Sequence, residues 1–295
     1  VSRAIVVGYT ATDAGADALA LGARIAVASG GVLEIVIVLP SDDRSVITPP
    51  DAGFDRHLRE VARQWLITAA ETVKDAVSHN GHVRYGESFA EGLIAAADEF
   101  DAGYIVVGAG SGGLRGRHRL GTVASELLHS SDVPVVLAPE GSRATPPGEL
   151  ISRVTAAVGT RPGADALLAE AVALATGTGA SLRLISLATV DMPTGTDTGA
   201  IRLTGASHAH DVLAQARDQL PRVIDAQVLV GTGESIEDAV QEVGWDPGEI
   251  VMVGSSRLAQ PRRLFLGSTA AKMLHVLSVP LIVVPRTRAT DGARQ

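Results

Sequence analysis

The stretch VVGAGSGGLRGRHRLGT, residues 106–122, admits two readings that lead to different folds. Gly108, Gly110 and Gly113 match G-x-G-x-x-G, the turn that joins the first strand of a dinucleotide-binding fold to its first helix and predicts an oxidoreductase. The longer spacing from Gly108 to Gly121-Thr122, with a basic loop between, predicts another kind of nucleotide site. The place of this loop in the chain decides between them.

Outward from the loop, the chain repeats once. GADAL occurs at 15–19 and 163–167, and GES at 86–88 and 233–235. YIVVG (104–108) returns as IVMVG (250–254), LGT (120–122) as LGS (266–268), and VPVVLAP (133–139) as VPLIVVP (279–285). Five matches in one order, at offsets of 146 to 148, define a tandem duplication. The seam falls in EGSRATPPGEL (140–150), whose Pro, Gly and Ser content reads as a linker. The expected organisation is domain 1 over 1–141, a linker over 142–149, domain 2 over 150–289 and a tail over 290–295.

Each half has the same plan. In the first, RAIVVGYT is a strand, 14–29 a helix, and VLEIVIVLP a strand. An amphipathic helix follows near 55–78, where Leu58, Val61, Trp65 and Leu66 recur at helical spacing. A short strand near 82–85, a helix over 89–100, the strand YIVVG, a helix over 121–130 and the strand VPVVLAP complete it. Near-continuous Val/Ile strands alternating with helices predict an α/β fold: two tandem open parallel five-stranded sheets with helices on both faces, each half with its own core. A dinucleotide fingerprint follows the first strand, whereas this loop follows the fourth with one strand to come. The second copy, GSSRLAQPRRLFLGS (254–268), does not keep G-x-G-x-x-G, so the dehydrogenase reading fails.

Both copies keep a Gly ending a strand and, thirteen positions on, Gly-Thr or Gly-Ser opening a helix. Gly108 and Gly254 would let a ligand approach the backbone. Gly121-Thr122 and Gly267-Ser268 would begin helices whose free amides and dipole favour a phosphate. Arg115, Arg117, His118 and Arg119 lie in the first loop, and Arg257, Arg262 and Arg263 in the second. The competing reading, a solvated Arg loop and an ordinary helix cap, stays open for both loops and weighs more on the second.

The bulk composition narrows the function. With 46% hydrophobic residues and 3% aromatics, the core is built of Ala, Val, Leu and Ile, as parallel strands covered on both faces require. No apolar run reaches the ~18 residues of a membrane span, and the start VSRAIVVGYT lacks a secretory leader, which points to the cytoplasm. No cysteine is present, so disulfides, thiol nucleophiles and thiolate metal sites are excluded. A net charge of −8 argues against nucleic acid and anionic membranes as partners, so an anionic partner should be small.

In combination, the glycine loop, the G-(D/E)-x segment and the Val-Pro-rich last strand resemble the universal stress protein family over nearly the whole chain. The family's motif is G-x2-G-x9-G-(S/T). The resemblance implies an open-sheet fold, adenine-nucleotide binding in some members and none in others, and pairing of VPVVLAP with VPLIVVP. A homodimer stays open. It further implies that Gly108, Ser111, Gly121 and Thr122 surround the phosphates of ATP or another adenine nucleotide, with Arg115 or Arg119 beside them and Thr10 and Val38 nearer the base. Gly254, Gly267 and Ser268 are the second-half counterparts.

Two departures limit this. Ser111 and Arg257 stand where the motif has its second Gly. Where nucleotide-binding members end the first strand with Asp, this chain has Thr10, Ala11 and Thr12, and V-G-T (158–160) in the second half. A threonine hydroxyl hydrogen-bonds but does not replace a carboxylate.

Other chemistry finds little support. His208/His210 and His79/His82 read as solvated loop pairs without a third metal ligand. His129 and His275 read as helix C-terminal residues, and Glu87 and Glu234 as helix-start caps. No nucleophile elbow or Walker lysine occurs, and neither Trp65 nor Trp245 has aromatic company. No catalytic or metal residue is assigned. Three functions follow: a non-enzymatic stress protein binding adenine nucleotide in its first half, a partner-binding duplicate that binds none, and, with least support, an ATP hydrolase.

Overall fold

The computed structural model describes residues 3–41, 52–110, 120–159, 164–189, 199–255 and 266–285. Short β-branched runs bounded by Gly and Pro form its strands, and Ala- and Leu-rich stretches between them form the helices. The first half contains β1 (Ile5–Gly8), α1 (Asp13–Ser29), β2 (Leu33–Pro40), α2 (Ala52–Val73) and β3 (His79–Gly86). It continues with α3 (Phe89–Glu99), β4 (Tyr104–Gly108), α4 (Thr122–Ser130) and β5 (Val135–Ala138). The second half repeats the series as β6 (Arg153–Ala157), α5 (Ala164–Thr178), β7 (Ser181–Thr189), α6 (Gly199–Asp218) and β8 (Ala226–Gly233). It closes with α7 (Ile236–Glu242), β9 (Glu249–Gly254), α8 (Ser268–Val276) and β10 (Leu281–Val284).

The fold is α/β, with two five-stranded parallel units. They are not separate sheets: the strands run β3-β2-β1-β4-β5-β10-β9-β6-β7-β8 in one ten-stranded sheet. The join is antiparallel, with Leu281 opposite Leu137, Ile282 opposite Val136 and Val283 opposite Val135. Each of these strands would otherwise be an uncharged, fully apolar edge, and pairing satisfies its open amides and carbonyls.

The cores differ from expectation in the same way. One apolar layer, under α1, α2, α5 and α6, includes Ile25, Leu66, Leu174 and Leu213; the other, under α3, α4, α7 and α8, includes Leu93, Leu127, Val240 and Leu274. Each layer is continuous across the seam, because the paired edge strands bring the halves' apolar faces into one surface. On α2, Ala62, Leu66, Ala69 and Val73 form the buried stripe, and Trp65 lies outside it at 41% exposure.

Residues 141–150 are bound to α1. Asp17, 2% exposed, accepts from the backbone amides of Gly141 (3.1 Å) and Arg143 (2.8 Å) and from the Arg143 guanidinium (2.8 Å). Arg143 also pairs with Asp13 at 2.8 Å. Two turns along α1, buried Arg24 donates to the carbonyls of Glu149 and Leu150, both at 3.4 Å.

Candidate functional site

In each half the strand order reverses between the first and fourth strands, and the crevice of a doubly wound sheet opens there, beyond the carboxyl ends. In the first half it lies between the ends of β1 and β4, with the first turns of α1 and α4 on its rim. Gly108 ends β4 at this rim. A methyl group on it would stand 2.1 Å from the Ala14 carbonyl oxygen, so its bare side accommodates the backbone of α1. Gly15 has the same function from the opposite side, since a Cβ there would meet the Thr10 carbonyl oxygen at 1.9 Å. Thr10 and Thr12 share a hydroxyl hydrogen bond of 3.0 Å, and Thr12 caps α1 by accepting from the Gly15 amide. Thr10 is therefore at the crevice with its hydroxyl engaged. Val38, near the end of β2, is buried against α3, where its Cγ1 lies 2.5 Å from the Cβ position of Gly92.

The helix starts distinguish the glycine-loop helices from their neighbours. Thr12, Ser88 and Ser235 cap α1, α3 and α7 with side-chain oxygens. Gly121 and Gly267 cap α4 and α8 with no side-chain bond. Thr122 and Ser268 are the first helical residues of α4 and α8, and both are exposed. The two glycine-loop helices thus present amides that their own caps leave unbonded, the arrangement that suits an anion. Gly110 and Gly121 meet across the loop mouth, with the Gly121 Cβ position 3.6 Å from the Gly110 Cα. Ser111, Arg115, Arg117, His118, Arg119, Arg257, Arg262 and Arg263 lie outside the described residues. So does the stretch 160–163, which by the repeat would face Gly254.

Several polar groups have places that the sequence reading did not assign. His79 and His82 belong to β3 rather than to a loop, and His82 Nε2 lies 2.6 Å from Oε2 of buried Glu34 on β2. The His82 ring packs on Phe100 at 4.5 Å between centroids. Arg84 donates two bonds to Glu99, and these hold the Glu99 carboxyl below its ordinary pKa. His208 and His210 lie on α6. Capping at the two GES segments is done by Ser88 with Glu91 and by Ser235 with Asp238, not by Glu87 or Glu234.

Toward the amino ends of β7 and β9 in the second half, Arg183 pairs with Glu249 at 2.5 Å, and Thr155 of β6 donates to the same carboxylate. The Arg183 guanidinium stacks 5.1 Å over Trp245, and burial lowers its pKa against the opposing effect of the Glu249 charge. These polar groups sit on strand faces, where single residues carry no periodic signal. Among the described residues no cluster of three metal-type ligands occurs, and no helix is long and apolar enough to cross a membrane.

Fold and rim together define a tandem doubly wound α/β protein with an anion-suited helix start in each half. The universal stress protein family model matches residues 2–139 and 151–285, and the chain belongs to that family. It is 28% identical to universal stress proteins of Mycobacterium tuberculosis and Mycobacterium bovis, over 95% of this chain and 99% of theirs. In fold it is similar to a universal stress protein from Archaeoglobus fulgidus (TM-score 0.65, 19% identity, 97% of this chain and 99% of that one). A similar match is a structure described as a putative universal stress protein from Pseudomonas aeruginosa (TM-score 0.58, 16% identity, 97% and 94%).

Proposed function

We propose that this chain is a non-enzymatic stress-response protein that binds an adenine nucleotide, ATP foremost, in its first half. The observation that carries the reading is the start of α4 beyond the carboxyl end of β4, where the Gly121 cap gives the helix amides no side-chain bond of its own. In this reading Gly108, Ser111, Gly121 and Thr122 surround the phosphates with Arg115 or Arg119, and Thr10 and Val38 lie toward the base. Gly254, Gly267 and Ser268 form a degenerate second site. The working unit is the intramolecular pair of halves, 1–141 and 150–289 with 142–149 between them, in the cytoplasm, and a homodimer is compatible with it.

A second reading, a partner-binding duplicate without nucleotide, is favoured by the Thr10 hydroxyl being engaged by Thr12 and by the Ala14 backbone against Gly108. Mass spectrometry of small molecules released from the freshly purified protein separates the two. One adenine nucleotide per chain is expected. None, together with no heat on titration with ATP, gives the function to the second reading. Phosphate release above a buffer blank, abolished by Thr122→Ala, would instead establish hydrolysis.

A further inference from the structure

The carboxyl end of β1 is shaped around an aromatic ring. A Cβ on Gly8 would lie 2.6 Å from Leu93 Cδ1, 3.2 Å from Val107 Cγ1 and 3.3 Å from Phe89 Cε1. The bare glycine thus lets the first turn of α3 settle onto the strand end. Val38 packs under Gly92 on the same face of that helix, drawing α3 toward β2 as well. Phe89 is the first helical residue, and its side chain is only partly buried at the edge of this apolar layer. The ring therefore stands above Gly8, on the α3 side of the crevice between β1 and β4.

The duplication supplies the comparison. Ser88 and Ser235 are matching caps, so Ile236 is the counterpart of Phe89. Ala157, the last residue of β6, is the counterpart of Gly8. The second half fills this space with a methyl group and an aliphatic chain, and both versions pack. Among the described residues at these two matching places, the aromatic ring belongs to the first half alone.

We infer that Phe89 is the base-stacking residue of the first-half crevice, giving that half a preference for a purine nucleotide that the second half lacks. The inference rests on the nucleotide reading above and adds to it the residue that selects the base. Stacking offers a purine a face matched in polarisability, whereas the α4 amides respond only to phosphate charge.

The test compares ATP with inorganic triphosphate by isothermal titration, using the full chain and the variants Phe89→Ile and Phe89→Trp. Phe89→Ile reproduces the second half, and a thermal melt checks that each variant is folded. Loss of one stacking partner is expected to weaken ATP binding roughly 5- to 150-fold. Triphosphate affinity should stay within about twofold, because the charge contacts remain. Phe89→Trp should bind ATP at least as well as the unaltered chain. Equal ATP affinity in Phe89→Ile and the unaltered chain overturns the inference alone, as does a parallel loss of ATP and triphosphate binding. No ATP binding by the unaltered chain overturns the nucleotide reading and this inference with it.

Discussion

Arg183 and Glu249 show how one residue pair can dominate its surroundings. Their side chains are 3% and 0% exposed, so each depends on the other to offset the loss of water. Thr155 and the Asp246 amide supply further bonds to the carboxylate. Replacing one partner leaves the other buried and underpaired, and Arg183→Met should cost about 3–5 kcal/mol in urea unfolding. Adding Glu249→Met removes the stranded charge and should recover most of that loss. Additive losses in the double variant would show that packing, not charge compensation, holds this region. The Arg84 and Glu99 pair, with Arg84 on the edge strand β3, differs in kind. Glu99 is at the surface, and its depressed pKa means that the contribution is present above the ordinary carboxylate range and fades as pH falls through the lowered value.

Helix α1 does more than cover the sheet. Its first turn meets Gly108 through Ala14 and Thr10 through Gly15 at the crevice, and its buried Asp17 and Arg24 hold both ends of the segment that joins the halves. Crevice and linker thus share one element. Asp17→Asn keeps the shape but loses the charge that Arg143 and two backbone amides address. Arg143 is about a third exposed and regains water, so the expected cost is moderate, about 1–3 kcal/mol. Guanidinium unfolding gives the cost, and limited proteolysis should find faster cleavage within 141–150. An unchanged midpoint and cleavage rate would remove Asp17 as the anchor.

At the scale of the whole molecule, the seam between β5 and β10 makes two repeats into one body. Only three residue pairs span it, but both core layers run through, and Tyr104 of β4 donates a buried 2.5 Å bond to Glu170 of α5 in the other half. Cooperativity should therefore depend on the seam more than on the linker. Val136 is fully buried opposite Ile282, and Val136→Lys places an unpaired charge there. The expected loss is about 3 kcal/mol or more, with a single unfolding transition giving way to two. One unshifted transition by calorimetry would show that the halves are joined by other contacts.

The sequence alone determined what local spacing encodes: the duplication, the alternation of strands and helices, the parallel α/β class, and the glycine-loop position that excluded a dinucleotide fingerprint. Family membership was legible for the same reason, since Gly108, Gly121-Thr122 and VPVVLAP are contiguous signals. Only the tertiary structure decided the rest, because it depends on residues far apart in the chain. Val136 meets Ile282, Asp17 meets Arg143, Glu34 meets His82, and Arg183 meets Glu249 only after the strands are ordered. The bare side of Gly108 also admits the Ala14 carbonyl, a contact that exists only when α1 lies across β4. Spacing records what neighbours along the chain can form, while burial and pairing across it are settled by packing.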